Sequence, residues 1–134
     1  MLTLSKPLSA ISSLHCAKCN KEYSADEIQT YATCCNQPLI ADYFLSPDIE
    51  KEIINSADLT MWGYSAVVPI SNKNNSGSLG EGMTPILPLN KLAAKYNIDD
   101  VVMKDESFNP TGSFKARGIS MAVSKAKEFN IKRC

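Results

Sequence analysis

The sequence predicts an α/β fold, with a parallel-sheet layer in residues 46–134 and a small cysteine-containing, ribbon-like β module before it in residues 1–45. The layer is predicted because the apolar run 101–103, which predicts a short buried strand, is followed by a turn and then by a helical pattern, an order typical of α/β layers. The module is predicted because four of the five cysteines fall within residues 16–35, between short apolar segments.

Local patterns predict further elements in chain order. The apolar segments 11–14 and 39–44 predict two short strands of the module. A helix is predicted over 47–56, since a serine N-cap, a proline in the first turn and an early aspartate precede an apolar stripe. A second helix is predicted over 90–97, with its first asparagine as the cap. The apolar run 67–70 contains a proline, which limits it to an edge strand.

Composition excludes several classes of partner. The 134 residues are enough for one compact domain with a core. The formal net charge is zero and 21% of the residues are charged. The sequence therefore shows no basic face of the kind that would indicate binding to nucleic acid. No apolar run approaches the roughly 20 residues of a membrane span, and the first residues lack the pattern of a signal peptide. An odd number of cysteines, two of them adjacent, predicts reduced thiols or a metal site in the cytoplasm rather than disulfides.

Lys115 lies at the start of a predicted helix, in a position that would favour a reactive amine. Pro110 and Gly112 predict a turn, and Ser113 is a good helix N-cap. Apolar residues then follow Lys115 at helical spacing: Ile119, Ala122, Ala126 and Phe129. A lysine on such a stripe is partly desolvated, and burial favours a neutral amine. A neutral lysine amine can form a Schiff base with an aldehyde.

Simpler interpretations are open for the polar side chains around this turn. On spacing alone, Lys115 is expected to snorkel, with its stem packed and its ammonium group in water. Arg117 could form an ion pair with Asp105 or Glu106 that braces the turn. The nearby hydroxyl groups could serve only as caps and as partners in turn hydrogen bonds.

Several blocks of the sequence resemble, in order, the fold-type II pyridoxal-phosphate enzymes, and threonine synthases among them. Residues 104–118, which read Lys-Asp-Glu-Ser-Phe-Asn-Pro-Thr-Gly-Ser-Phe-Lys-Ala-Arg-Gly, resemble the lysine motif of these enzymes. Residues 78–86 resemble their Leu-Gly-Glu-Gly-x-Thr-Pro-Leu block, and residues 61–64 the segment before it. Residues 16–19 and 35–39 resemble the cysteine module at the start of many threonine synthases. Serine and threonine dehydratases share the lysine motif, whereas the other blocks favour threonine synthase.

The resemblance implies a cytoplasmic pyridoxal-phosphate-dependent carbon–oxygen lyase. The implied reaction converts O-phosphohomoserine and water to threonine and phosphate, in threonine biosynthesis. Lys115 would be the catalytic residue and would hold the cofactor as a Schiff base. The substrate-contact candidates are the polar side chains near the lysine motif: Thr84, Lys104, Thr111, Ser113 and Arg117. A homodimer is expected of the full-length enzyme.

The resembled enzymes are roughly three times as long as this chain, by family analogy. The chain is therefore expected to be an N-terminal fragment that stops after the lysine helix, with weak cofactor binding and no turnover by itself. Two alternatives stay open. One is a serine/threonine dehydratase-like enzyme or another pyridoxal-phosphate enzyme of the same fold. The other is a zinc-ribbon binding module attached to a decayed catalytic domain.

The cysteines are candidates for a zinc site. Cys16, Cys19 and Cys35 could be three ligands, and either His15 or Cys34 could be the fourth. Cys34 and Cys35 are adjacent, however, and adjacent side chains are expected to point apart. The alternative is therefore a ribbon that binds no metal and is held together by its small core.

Overall fold

The computed structural model describes residues 9–45 and 57–133, so the helix predicted over 47–56 lies outside the described residues. The described residues form two separate antiparallel sheets, two α-helices and three short 3-10 helices. The predicted mixture of helices and strands is therefore confirmed. Within the described part of the chain, no helix has the length and apolar character needed to cross a membrane.

The first sheet belongs to the cysteine-containing region. Its strands are β1 (Ile11–Cys16), β2 (Glu22–Tyr23) and β3 (Leu39–Tyr43), which lie in the order β2–β1–β3. Strands β1 and β3 confirm the two predicted from the sequence. Cys16 and Ala32 are the fully buried hydrophobic residues described in this region, so its apolar core is very small.

A compact apolar cluster forms the core of the second region. It is built around Trp62, in the 3-10 helix Met61–Val67, and it contains the buried residues Met61, Trp62, Val68 and Ile70 with Met121 packed against them. The edge strand predicted over 67–70 is wrong. The N–H of Ile70 donates to the carbonyl of Val68 at 2.8 Å, so this segment forms a local turn that directs apolar side chains inward.

The second sheet corrects the predicted parallel layer. Its two strands, β4 (Ile86–Pro88) and β5 (Val102–Lys104), are antiparallel, and the helix α1 (Asn90–Tyr96) lies between them in sequence. The chain reverses through this short helix and brings Pro88 opposite Val102. A parallel pair would instead need a crossover that returns to the other end of the first strand. No parallel pair occurs in residues 9–45 and 57–133.

Exposure and capping in this hairpin also differ from the prediction. The strand predicted to be buried exposes 56% of Val102. The helix predicted over 90–97 is confirmed, but the N-cap position belongs to Leu89 and Asn90 is the first helical residue. The helix ends at Asn97, whose left-handed φ of 53° allows its N–H to reach the last carbonyl groups of the helix.

The helix α2 (Lys115–Glu128) follows the second sheet and begins at the predicted lysine. The predicted cap is one residue out, because the N-cap position belongs to Phe114 and not to Ser113. The hydroxyl of Ser113 still accepts a hydrogen bond from the N–H of Lys115 at 3.2 Å, which satisfies one of the free donors of the first turn. Lys125 and Lys127 lie in the last turn, where positive charge stabilises the helix dipole.

The buried face of α2 differs from the predicted apolar stripe. Ile119 is 62% exposed, and Lys115 on the same face is exposed. The buried residues are the small ones, Ala116 and Ser124. The hydroxyl of Ser124 accepts a hydrogen bond from the N–H of Gly77 at 2.8 Å, so a loop backbone packs closely against this face. The packing therefore selects small side chains rather than large apolar ones.

Candidate active site

A tight turn connects β5 to α2 and carries the lysine motif. The carboxylate of Asp105 caps a 3-10 helix, Glu106–Phe108, by accepting from the N–H of Ser107 at 3.0 Å. The N–H of Gly112 then donates to the carbonyl of Asn109 at 2.7 Å, and Gly112 has a φ of 64° that favours glycine. These local bonds place the side chain of Glu106 beneath the start of α2.

Glu106 is the centre of a cluster of hydrogen bonds, which we call the Glu106 cluster: Glu106, Arg117, Thr84 and Asn109. The guanidinium of Arg117 donates to both carboxylate oxygens of Glu106, at 2.7 Å from Nε and 2.9 Å from Nη2. The hydroxyl of Thr84 donates to Oε1 at 2.6 Å and the amide of Asn109 to Oε2 at 2.9 Å. Each of the two carboxylate oxygens thus accepts two of these four hydrogen bonds, which is the full capacity of an ionised carboxylate.

The cluster shifts the ionisation of its charged members. Hydrogen bonds from Arg117, then Thr84 and Asn109, hold the pKa of Glu106 well below its usual range. The hydrogen bond to Glu106 in turn raises the pKa of Arg117. Glu106 is therefore an ionised acceptor near neutral pH. It braces the turn rather than acting as an acid or a base.

The structure brings three of the five substrate-contact candidates into this cluster or against it. Arg117 and Thr84 bond to Glu106, and the ammonium of Lys104 donates to the backbone carbonyl of Thr84 at 2.9 Å. The other two, Thr111 and Ser113, lie outside the cluster, on the turn before Lys115.

The glycine-rich block 78–86 packs against the lysine motif. The N–H of Gly82 donates to Oδ1 of Asn109 at 3.2 Å, and the carbonyl of Glu81 accepts from the N–H of Met61 at 2.9 Å. Gly82 has a φ of 117°, and a Cβ there would lie 2.4 Å from the backbone nitrogen of Met61. This close approach requires glycine.

Sequence reasoning missed the central position of Glu106 and the side chain of Asn109. The sequence predicts Glu106 only as one of two possible partners for Arg117, and it gives Asn109 no role of its own within the lysine motif. The signal was the density of polar residues in 104–109 beside a threonine twenty positions upstream. That signal does not reveal which side chain accepts from all the others.

The cysteine residues of the first region also come together, forming what we call the four-cysteine cluster. The sulfur atoms of Cys16, Cys19, Cys34 and Cys35 all lie within 4.8 Å of one another. The expectation that the adjacent pair points apart is wrong. The N–H of Asn36 reaches back to the carbonyl of Ala32 at 2.8 Å, and this tight turn directs both thiols to one side.

His15 takes no part in the four-cysteine cluster, since its Nδ1 lies 2.7 Å from the carboxylate of Asp42. The thiols are electrostatically distinct. A hydrogen bond from the hydroxyl of Tyr23 lowers the pKa of Cys34 to about 6. Hydrogen bonding with Cys19 and then Cys34 raises the pKa of Cys35 to about 12.

Comparison with known proteins gives the class of the second region and then its relatives. Residues 77–133 match the family described as pyridoxal-phosphate dependent enzyme. The chain is 34% identical over 118 residues to the threonine synthase of Methanocaldococcus jannaschii, which is 87% of this chain and 29% of that protein. It is 34% identical over 119 residues to the threonine synthase of Methanosarcina acetivorans, covering 88% of this chain and 29% of the relative. No solved structure matches the chain.

A further relative matches more closely over a shorter stretch. The threonine synthase of Halalkalibacterium halodurans is 46% identical over 65 residues, which cover 48% of this chain and 18% of that protein. The predicted resemblance is therefore confirmed: the chain is similar to the pyridoxal-phosphate-dependent enzymes, and to threonine synthases among them. It spans less than a third of the length of these relatives.

The described residues fit part of what an aldehyde cofactor requires. Lys115 offers an exposed primary amine on the first turn of a fourteen-residue helix. The hydroxyls of Thr111 and Ser113 precede it on the same turn. An accessible amine beside hydroxyl donors and a helix N-terminus suits a ligand that carries both an aldehyde and an anionic group.

Proposed function

We propose that this chain is the N-terminal portion, containing the cofactor lysine, of a threonine synthase, which converts O-phosphohomoserine and water to threonine and phosphate. The observation that carries the proposal is the position of Lys115 on the first turn of α2. The Glu106 cluster joins that turn to the glycine-rich block 78–86. The names of the relatives support the same reaction.

In this proposal, Lys115 is the catalytic residue. Pyridoxal phosphate supplies an electron sink when it is bound. The amine of Lys115 would hold the aldehyde of the cofactor, and the same amine would be placed to move protons at the substrate carbons. The exposed position of this amine leaves it accessible to a small ligand.

The other candidate residues divide into two groups. Thr84, Lys104 and Arg117 act as positioning residues, because their polar atoms already bond within or against the Glu106 cluster. The hydroxyls of Thr111 and Ser113 contact anionic groups of the ligand, aided by the N-terminus of α2.

A labelling experiment tests the role of Lys115 in this chain alone. The chain is mixed with pyridoxal phosphate and reduced with borohydride, and the pyridoxyl label is mapped by peptide mass spectrometry. We expect the label to concentrate on Lys115 and to disappear in Lys115→Ala. Lys95→Ala, which removes an exposed lysine of α1, should leave the pattern unchanged. A label shared evenly among surface lysines would argue against the assignment.

A chimera tests the reaction. This chain replaces the segment that it matches in the Methanocaldococcus jannaschii threonine synthase, and phosphate and threonine are measured with O-phosphohomoserine as substrate. We expect turnover by the chimera and none when it carries Lys115→Ala. Threonine formation by the Lys115→Ala chimera would contradict the proposal. Deamination of serine or threonine without phosphate release from O-phosphohomoserine would instead indicate a dehydratase-like activity.

A further inference from the structure

We propose that the four-cysteine cluster binds one zinc ion as a structural tetrathiolate site, with the adjacent residues Cys34 and Cys35 both as ligands. Zinc in structural sites is tetrahedral, and a Zn–S distance of about 2.3 Å places the sulfur atoms roughly 3.8 Å apart. Cys19 and Cys34 have their sulfur atoms 3.3 Å apart, and all four sulfurs lie within 4.8 Å. The ion therefore requires only small adjustments of the side chains.

Two similar turns present the thiols. In the first, the N–H of Asn20 donates to the carbonyl of Cys16 at 3.0 Å, and Asn20 adopts a left-handed φ of 59°. In the second, the N–H of Asn36 donates to the carbonyl of Ala32, and Asn36 has a φ of 52°. Each turn thus ends at a left-handed asparagine, and each carries two of the four thiols that converge on one another.

The backbone also supplies hydrogen bonds suited to a sulfur ligand. The N–H of Lys18 donates to the sulfur of Cys16 at 3.4 Å. Such bonds orient a thiolate and spread its negative charge, as outer partners do in metal sites. Cys16 is fully buried, so a thiolate ligand at this position would be shielded from water and compensated by the ion.

The small core of this region explains why a metal is needed. Among residues 9–45, Cys16 and Ala32 are the fully buried hydrophobic residues, and Ile40 remains 48% exposed. A region of this size seldom folds on apolar burial alone, and a structural metal is one of the usual substitutes. The binding free energy of the ion then contributes directly to folding.

A disulfide accounts for less of this arrangement. One bond between Cys19 and Cys34 would shorten a 3.3 Å contact to about 2.05 Å. It would leave Cys16 and Cys35 converging on the same point without a partner. The mutual proximity of all four sulfurs favours a shared ion, and a site with four sulfur ligands selects zinc or iron.

The test is the metal content of the full chain, purified under reducing conditions and measured by mass spectrometry of the elements. We expect one zinc ion per chain. Cobalt should replace it and give the visible absorption of a tetrahedral tetrathiolate. Less than about a tenth of an equivalent of zinc after zinc addition, iron in its place, or a Cys19–Cys34 disulfide in the reduced preparation would overturn the proposal.

Single substitutions assign the ligands. Cys34→Ser and Cys35→Ser should each weaken zinc binding more than about tenfold. Cys134→Ser is the matched control, since it removes the one cysteine outside the cluster. This variant should keep one equivalent of zinc per chain. His15→Gln should also keep it, because His15 pairs with Asp42. A variant that does not fold does not obscure the result, because the cobalt spectrum of the unmodified chain reports the four sulfurs independently. Unchanged affinity in Cys34→Ser would contradict coordination by the adjacent pair.

Discussion

The two described regions are held together in different ways. Residues 9–45 bury almost no apolar side chains and converge on four thiols, whereas residues 57–133 pack around Trp62 and around the carboxylate of Glu106. A backbone hydrogen bond, from the N–H of Ala10 to the carbonyl of Ala66 at 2.8 Å, connects them. Because the two regions depend on different interactions, we expect that the stability of one can be changed with little effect on the other.

Removing the metal should give the largest effect. Zinc binding by small thiolate sites is worth on the order of 10 kcal/mol, so chelation should unfold most of residues 9–45. Hydrogen exchange read by mass spectrometry should then show fast exchange in β1 and β3 but unchanged protection in α2. Loss of protection throughout α2 would show that the two regions are not separable.

Truncation of Trp62 should be the next largest change, and it acts on the other region. Trp62 is 4% exposed and donates from Nε1 to the carbonyl of Gly77 at 3.3 Å. Trp62→Ala should cost about 3–5 kcal/mol of unfolding free energy, measured by denaturant titration. Leu59→Ala is the control, because Leu59 is 69% exposed and should change stability by less than about 0.5 kcal/mol. Zinc content should stay at one equivalent in both variants.

Three of the five described strands and the starts of both described α-helices could be predicted from local patterns, but the buried faces could not. The start of α2 at Lys115 could be predicted to within a residue, although the N-cap is Phe114 and not Ser113, because helix starts depend on residues next to one another in sequence. The buried residue Ser124 could not be predicted, since it is selected by the backbone of Gly77, which is distant in sequence. The parallel layer was wrong for a similar reason, because strand direction depends on how the chain returns.

The candidate site shows the same limit. The lysine and its turn could be predicted from the motif, but the cluster could not, because Glu106 accepts from Thr84 and Arg117 across separate segments. In the first region, adjacency of Cys34 and Cys35 argued against a shared site. The turn that ends at Asn36 overrides that local rule, and a left-handed residue is visible only in the structure.

Adding a methyl group at Gly82 should destabilise residues 57–133 less than the truncation of Trp62 does. A Cβ at Gly82 would lie 2.4 Å from the backbone nitrogen of Met61, and the φ of 117° adds strain. Gly82→Ala should cost about 1–3 kcal/mol. Gly80→Ala is a close control, since Gly80 has a φ of 93° and no atom within 4 Å of the added Cβ. Equal losses in the two variants would mean that strain alone, and not the close approach to Met61, requires glycine.

The smallest effect is expected from Glu106→Gln, and pH reveals it. The pKa of Glu106 is held below its unfolded value of about 4.3, so its ion pair with Arg117 contributes fully above about pH 5. This contribution is lost as the pH falls through the folded pKa. Glu106→Gln should therefore lower the melting temperature modestly at neutral pH, because the pair is partly exposed, and progressively less in acid.

The matched control for this change is Glu27→Gln, which makes the same substitution at an exposed glutamate of the cysteine-containing region. The melting temperature of this variant should be close to that of the unmodified chain at every pH. If the difference in melting temperature caused by Glu106→Gln stayed constant between about pH 7 and pH 3, the lost stability would reflect the shape of the amide rather than the missing charge. The Glu106 cluster would then brace the lysine turn by packing and neutral hydrogen bonds. Its contrast with the four-cysteine cluster, where charge on the ligands is essential to hold an ion, would become sharper.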